Sequence, residues 1–290
     1  MNDENYLIEN GVNVTKSLEL FGDIDTYNEI VGEFLVSSKE KQAKLQQSKE
    51  EKDMANYTIY IHSLKSDAQY FGFTKLAEMA EIQEQKSKDG DVFYIFEHFQ
   101  ELNDEIERMV GVVKKYLYPE PEETAAPAAA PQEATPSPAT PAPTPVVVQP
   151  APVEENLPEP YNQKTILVAD DSNIIRNFVK RIFSDKYNVG VAQNGEEALQ
   201  IIKANLANEE IVALLLDLNM PKVDGFAVLD YINENQLFNK IPVSIISGDC
   251  SKDTIAKAFG YPIVDMLAKP FTETDIKHVV EKTIYFKNID

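Results

Sequence analysis

Two hydrophobic patterns divide this chain. Up to about residue 118 the apolar positions recur at helical spacing: Tyr57, Tyr60, Ile61, Leu64, Ala68 and Phe71, for example, fall within one arc of about 100° when successive residues are turned by 100°. No proline precedes Pro119, and Gly22, Gly72 and Gly90 sit where such runs end. The pattern predicts helices at about 12–20, 24–48, 52–71, 74–88 and 91–117, the four longer ones antiparallel in a bundle. From Lys164 onward short apolar runs alternate with amphipathic stretches. The runs are Ile166–Ala169, Val189–Ala192, Ile211–Leu216, Val243–Ile246 and Ile263–Leu267. Five strands alternating with five helices predict a parallel sheet covered on both faces, where chemistry collects at the carboxyl ends of the strands.

Between the two patterns lies a segment of different composition. Of the 17 prolines, 13 fall between Pro119 and Pro160, in a stretch without glycine, aromatic residue, lysine or arginine. It cannot bury a core. Proline- and alanine-rich sequence favours extended polyproline-II-like conformations, so the segment reads as a disordered, semi-stiff tether reaching up to ~130 Å at ~3.1 Å per residue. The expected organisation is 1–118 helical, 119–160 linker and 161–290 α/β.

Charge and cysteine content narrow the function. The net charge of −21 repels phosphate backbones and anionic lipids, and no segment has a basic excess, so nucleic acid is not an expected partner. The single cysteine, Cys250, excludes an intramolecular disulfide framework, and no Cys/His cluster has zinc spacing. Without an apolar run near ~18 residues, and with an acidic start at Asp3 and Glu4, the expectation is a cytoplasmic protein with no membrane insertion.

On the 52–71 helix His62 lies off the apolar stripe, with Thr58, Lys65, Ser66 and Gln69 within about 60° of it on the polar face. That excludes a core histidine and leaves an idle surface residue or a functional one, its imidazole in water. The string His62-Ser63-Leu64-Lys65-Ser66-Asp67-Ala68, then Phe71-Gly72-Phe73, resembles the H-x-L-K-G segment and its later glycine in histidine phosphotransfer (HPt) domains, including the P1 domain of chemotaxis kinases. The resemblance covers most of 1–118. It implies that His62 is a phospho-acceptor and donor, and Lys65, one turn on, is its electrostatic partner beside incoming phosphoryl oxygens. Two positions depart from the family: Ser66 replaces glycine about 40° from His62, where it would crowd a docking partner, and Asp67 replaces an uncharged small residue at about 140°, where it should matter less. His98, among Phe96 and Phe99, is expected to pack, and His278 to lie on the surface.

At the predicted strand ends stand Asp170-Asp171, Asp217, Ser247 and Lys269-Pro270. Clustered carboxylates take up protons unless a cation joins them, and an all-oxygen set suits a magnesium ion (Mg2+). The motifs Asp170-Asp171-Ser172, Leu216-Asp217-Leu218-Asn219-Met220-Pro221 with Asp224-Gly225, Ser247-Gly248 and Lys269-Pro270-Phe271 resemble the receiver domain of two-component response regulators over about 163–288. The implied fold class is multi-domain: an all-α four-helix-bundle HPt domain and an α/β doubly wound, flavodoxin-like receiver domain of strand order 2-1-3-4-5. By the same resemblance Asp217 is the phospho-acceptor. Asp171, Asp217 and the Asn219 carbonyl hold Mg2+, with Asp170 acting through water. Lys269 offsets transition-state charge, and Ser247 hydrogen-bonds the phosphoryl group after transfer. Asn219 and Asp249 occupy positions that tune phosphate lifetime. Met266 stands where the family often has an aromatic switch residue, and Cys250 is expected to pack near the site.

No effector domain is expected after the receiver, and no Gly-rich nucleotide loop is present, so the chain should not phosphorylate itself from ATP. A phospho-acceptor histidine and aspartate on one tethered chain predict a phosphorelay intermediate rather than an enzyme, a phosphotransfer protein without a kinase domain whose receiver would catalyse only its own phosphorylation and dephosphorylation. Its expected partners are a sensor histidine kinase or hybrid kinase and a downstream receiver or HPt protein. The alternative is a phosphorylation-gated signalling adaptor whose helical domain only docks or drains phosphate. A hydrolytic metalloenzyme would need a cleft and a base that the sequence does not offer.

Overall fold

In the computed structural model of the chain, residues 4–119, 163–207 and 210–287 are described. The expected linker at 119–160 lies, apart from Pro119, outside them. The N-terminal part is helical: α1 (Glu4–Glu9), α2 (Val14–Phe21), α3 (Ile24–Glu50), α4 (Met54–Tyr70), α5 (Thr74–Lys88) and α6 (Val92–Leu117). The predicted bounds hold to within a few residues, and the short α1 was not foreseen. Its six residues carry one fully buried apolar side chain, Leu7, too little for a periodic signal.

Local chemistry marks each start and stop. The carboxylates of Asp23, Asp53 and Asp91 accept hydrogen bonds from the backbone N–H of Thr26, Asn56 and Tyr94, capping α3, α4 and α6. Gly72 ends α4 with φ +70°, and a side chain there would meet the Asn13 carbonyl oxygen at 2.4 Å. The close approach is that of the α1–α2 connection, where Asn13 N–H donates to the Gly72 carbonyl at 2.8 Å. Tyr27, Phe34, Tyr57, Ile61, Leu64, Phe71 and Phe99 fill the bundle core.

The C-terminal part alternates β1 (Thr165–Ala169), α7 (Asn173–Phe183), β2 (Asn188–Ala192), α8 (Gly195–Asn205), β3 (Ile211–Leu216), α9 (Gly225–Glu234), β4 (Val243–Ser247), α10 (Lys252–Ala258), β5 (Asp265–Ala268) and α11 (Glu273–Lys287). The sheet is parallel throughout, in the order β2-β1-β3-β4-β5. Every residue of β1, β3 and β4 is buried, as a strand covered on both faces requires. β5 begins two residues later than the apolar run suggests, because the Ile263 N–H donates to the Tyr261 carbonyl in a turn at 2.8 Å, and Val264, whose N–H donates to the Val243 carbonyl at 2.8 Å, serves as the approach.

The two parts share one apolar core. The Phe21 ring meets Phe178 of α7 edge-on at 5.3 Å, and Tyr70 of α4 meets Phe271 at 5.8 Å while its hydroxyl accepts the Phe271 N–H at 3.1 Å. Around this contact Glu33 accepts from Asn173 and Asn177 at 2.6 and 2.8 Å, and Glu29 pairs with Arg181.

Candidate functional site

The carboxyl ends of β1, β3 and β4 converge as the parallel topology demands. Asp170, Asp171 and Asp217 bring one oxygen each to within 4.8 Å of the other two. Lys269, following β5, places its ammonium 2.7 Å from both Asp170 Oδ2 and Asp217 Oδ2. Backbone amides hold the remaining oxygens: Ser172 N–H donates to Asp170 Oδ1 at 2.9 Å and Asn219 N–H to Asp217 Oδ1 at 3.2 Å. Ser247 is buried at the end of β4, its hydroxyl accepting from Asp249 N–H at 3.1 Å.

The electrostatics follow from burial and crowding. Burial, helped by the charges of Asp217 and Asp171 and opposed by Lys269, pushes Asp170 up to about 7. Burial raises Asp171 too, with the Lys41 ammonium of α3 working the other way. For Lys269 burial favours the neutral amine, but the three carboxylates around it outweigh that and hold its pKa above the usual lysine value. One ammonium thus faces three carboxylates. That surplus of hard oxygen donors, with the Asn219 carbonyl close by in sequence, fits a divalent cation such as Mg2+.

His62 is on the predicted face of α4 but not in water. It is 3% exposed, because α4 lies against the α/β part and covers its acid pocket. An isolated helix wheel cannot register a neighbour supplied by another domain. The imidazole Nδ1 sits 2.8 Å from Glu84 Oε1, while Nε2 is buried with no hydrogen-bond partner among the described residues. That nitrogen faces Gly248, the residue after Ser247: a Cβ at Gly248 would lie 2.7 Å from it.

Lys65 differs from expectation as well. Its ammonium is held 2.6 Å from Glu84 Oε2, so it reaches the histidine through a shared carboxylate, with Lys88 on the other oxygen at 2.7 Å. Burial alone would raise Glu84, but His62, Lys65 and Lys88 together hold it well below the usual carboxylate range. Glu84 was missed in the sequence. Its signal is the stripe of α5, where Leu76, Ala77 and Ala80 are followed on the same face by the buried polar residues Gln83, Glu84 and Ser87.

Asp67 also lies elsewhere than the wheel suggests: it is buried at the contact between the two parts, paired with Lys41 and accepting from the Ser172 hydroxyl at 2.9 Å. Ser66 is buried there without blocking the approach, 3.5 Å from the Cβ position of Gly248. Ser63 brings a buried hydroxyl beside Asp171. A cavity of 320 Å3, bounded by Lys41, Ser63, Asp171, Asn173 and Arg176 among others, opens between the two parts and leaves Asp171 a little exposed surface. Met266 is half-buried against the sheet core. Cys250 is exposed, not packed, because the chain turns outward after β4. His98 is half-exposed, its ring 4.1 Å from that of Tyr94, with Phe99 buried and Phe96 44% exposed; only one neighbour faces the core. His278 is on the surface as expected.

Residues 166–281 match the response regulator receiver domain family, and residues 29–111 match the Hpt domain family. The chain is a two-component signalling protein with an N-terminal Hpt domain and a C-terminal receiver domain. It is similar to the two-component response regulator ORR3 of Oryza sativa subsp. indica, 27% identical over 131 residues that cover 45% of this chain and 96% of that protein. It is also similar to the two-component response regulator ARR2 of Arabidopsis thaliana, 30% identical over 129 residues covering 43% of this chain and 19% of that protein. Among solved structures it is similar to the signal receiver domain of a putative Luxo repressor protein from Vibrio parahaemolyticus, with 24% identity, a TM-score of 0.40, and coverage of 44% of this chain and 94% of that one. The domain pair supports a role in phosphorelay signalling and implies dealings with histidine kinases and other relay proteins. Among the described residues no helix is long and apolar enough to cross a membrane.

Proposed function

We infer that the protein is a phosphorelay intermediate in which His62 and Asp217 carry the phosphoryl group and exchange it with each other inside one chain, with 1–118 as the Hpt unit, 119–160 as its tether and 161–290 as the receiver unit. The observation that carries this reading is the buried, unpartnered Nε2 of His62 facing Gly248 at the mouth of the acid pocket. A nitrogen lone pair shut away from water without a donor is costly unless the site uses it.

Glu84 supplies the reason that Nε2 is the reactive atom. Its carboxylate accepts from Nδ1–H, and that tautomer leaves the lone pair on Nε2. In transfer from histidine to aspartate, the P–N bond to Nε2 breaks as a P–O bond to a carboxylate oxygen of Asp217 forms, and the electron pair returns to the imidazole; the reverse step runs the same path backwards. Lys269, between Asp170 and Asp217, would neutralise charge on the moving oxygens, and the Ser247 hydroxyl at the end of β4 would bond one of them. A magnesium ion held by Asp170, Asp171, Asp217 and the Asn219 carbonyl would supply further charge neutralisation there.

The test is a transfer assay on the full chain with radiolabelled donor kinases, comparing wild type, His62→Gln and Asp217→Asn. Each single variant is expected to hold label at its remaining site, acid-labile on His62 or acyl on Asp217, while wild type passes it between them. A wild-type chain that takes label at one site and never moves it to the other would leave only an adaptor.

A further inference from the structure

Asp67 is the residue the family pattern does not lead one to expect, and it is among the most deeply buried charges in the protein, at 1% exposure. One carboxylate oxygen, Oδ2, pairs with Lys41 of α3; the other, Oδ1, accepts from the hydroxyl of Ser172 across the domain boundary at 2.9 Å. Ser172 in turn caps α7, and its N–H holds Asp170 Oδ1 at 2.9 Å. An unbroken series of polar contacts therefore runs from Lys41 through Asp67 and Ser172 to the acid pocket. Burying a carboxylate is tolerable only with all its partners in place, and Lys41 meets only half the requirement. The second half comes from the receiver.

We propose that Asp67 is a specificity-determining residue: with Lys41 as its fixed counter-ion, it makes this Hpt domain select receiver domains that present a hydroxyl donor directly after the paired aspartates, here its own Ser172, and reject those with an acidic or apolar side chain there. The proposal rests on the reading that the docked face is where His62 and Asp217 exchange phosphoryl groups. An apolar side chain at that position leaves Asp67 Oδ1 desolvated and unpaired, and an acidic one sets two carboxylates against each other. A site built around a partner's hydroxyl discriminates strongly against partners lacking it, because the stranded acceptor carries the full penalty.

The variant Ser172→Asp keeps a side chain competent to cap α7 but places a carboxylate against Asp67. Two readouts on the full chain follow it: hydrogen-exchange protection of interface amides in α4 and α7 relative to β3, and the rate at which label passes between His62 and Asp217. Ser172→Asp is expected to lower both by about tenfold or more, and adding Asp67→Asn to restore both, since an amide donates to the new carboxylate and Lys41 pairs with it. Ser172→Thr, which keeps the hydroxyl, should stay near wild type. A role confined to capping α7 would not be rescued from the other domain. Protection within about twofold of wild type in Ser172→Asp, or no recovery on adding Asp67→Asn, overturns the proposal. Should wild type pass no label at all, the relay reading falls by itself, and the protection cycle alone decides whether Asp67 selects Ser172.

Discussion

Glu84 binds three cationic or hydrogen-bonding neighbours, His62, Lys65 and Lys88, from a position shielded from water. Its pKa is held below the ordinary glutamate value of 4.5. A depressed carboxylate stabilises the folded state above its unfolded pKa and loses that contribution as pH falls through its folded value. Glu84→Gln is therefore expected to cost about 1–3 kcal/mol at neutral pH, and the gap from wild type to close as pH drops well below 4.5. Urea unfolding followed through NMR signals of α4 and α5 at several pH values measures this. A gap that stays constant down to pH 3 would mean that Glu84 contributes by packing and not by charge. The residue scale also shows where sequence reading stops. The face carrying His62 and the strand-end positions of Asp217, Lys269 and Ser247 are legible because periodicity and strand-end position are local properties. The burial of His62, the capture of Lys65 by Glu84 and the partner of Asp67 are not, because each depends on a neighbour brought in from another helix or the other domain.

At the scale of elements, nearly all of the fold was readable. Antiparallel helices announce themselves by a 3.6-residue period between glycines, and buried parallel strands by short apolar runs ending in acids. What the patterns leave out is how closely elements approach, and two glycines separate the consequences. Gly72 has both a left-handed φ and the Asn13 carbonyl 2.4 Å from where a Cβ would stand. Gly72→Ala should destabilise the Hpt bundle by about 1–3 kcal/mol or more, seen as an earlier urea transition. At Gly248 the nearest atoms to an added Cβ are Nε2 and Cε1 of His62, at 2.7 and 2.8 Å, a side chain pinned by Glu84. Gly248→Ala should leave receiver stability within about 0.5 kcal/mol of wild type, and leave labelling of Asp217 by a small phosphoramidate donor unchanged. Its exchange with His62 should slow by about tenfold, because the clash exists only in the docked state. A loss of both labelling and exchange would place the effect in the receiver loop and not in docking.

The whole molecule poses an electrostatic problem. Both units are net acidic, 13 basic against 23 acidic residues in 1–118 and 14 against 18 in 161–290, so at long range they repel. Docking depends on local complementarity: Glu29 and Glu33 of α3 face Arg181, Asn173 and Asn177 of α7, around the Phe21–Phe178 and Tyr70–Phe271 contacts. Carrying both units on one chain raises their concentration relative to each other, which favours docking when the interface itself is moderately strong. In the docked arrangement His62 and Asp217 are both buried. On the proposed relay reading, exchange with outside partners draws on the open fraction of molecules, and the apparent rate scales with that fraction. Reversing Glu29 and Glu33 together to arginine sets a cation against Arg181 and takes the acceptor from Asn173 and Asn177, while sparing the acid pocket and the His62–Glu84 cluster. Since exposed charge pairs are worth only tenths of a kcal/mol to about 1 kcal/mol each, the open fraction should rise about three- to tenfold. Labelling of the chain by a separate histidine kinase should quicken by that factor, and exchange between His62 and Asp217 should slow. The two changes must be opposite in sign, because one equilibrium feeds both. A double variant in which outside labelling and internal exchange fall together would show that the docked face serves incoming donors too, and that closure does not stand between this chain and its partners.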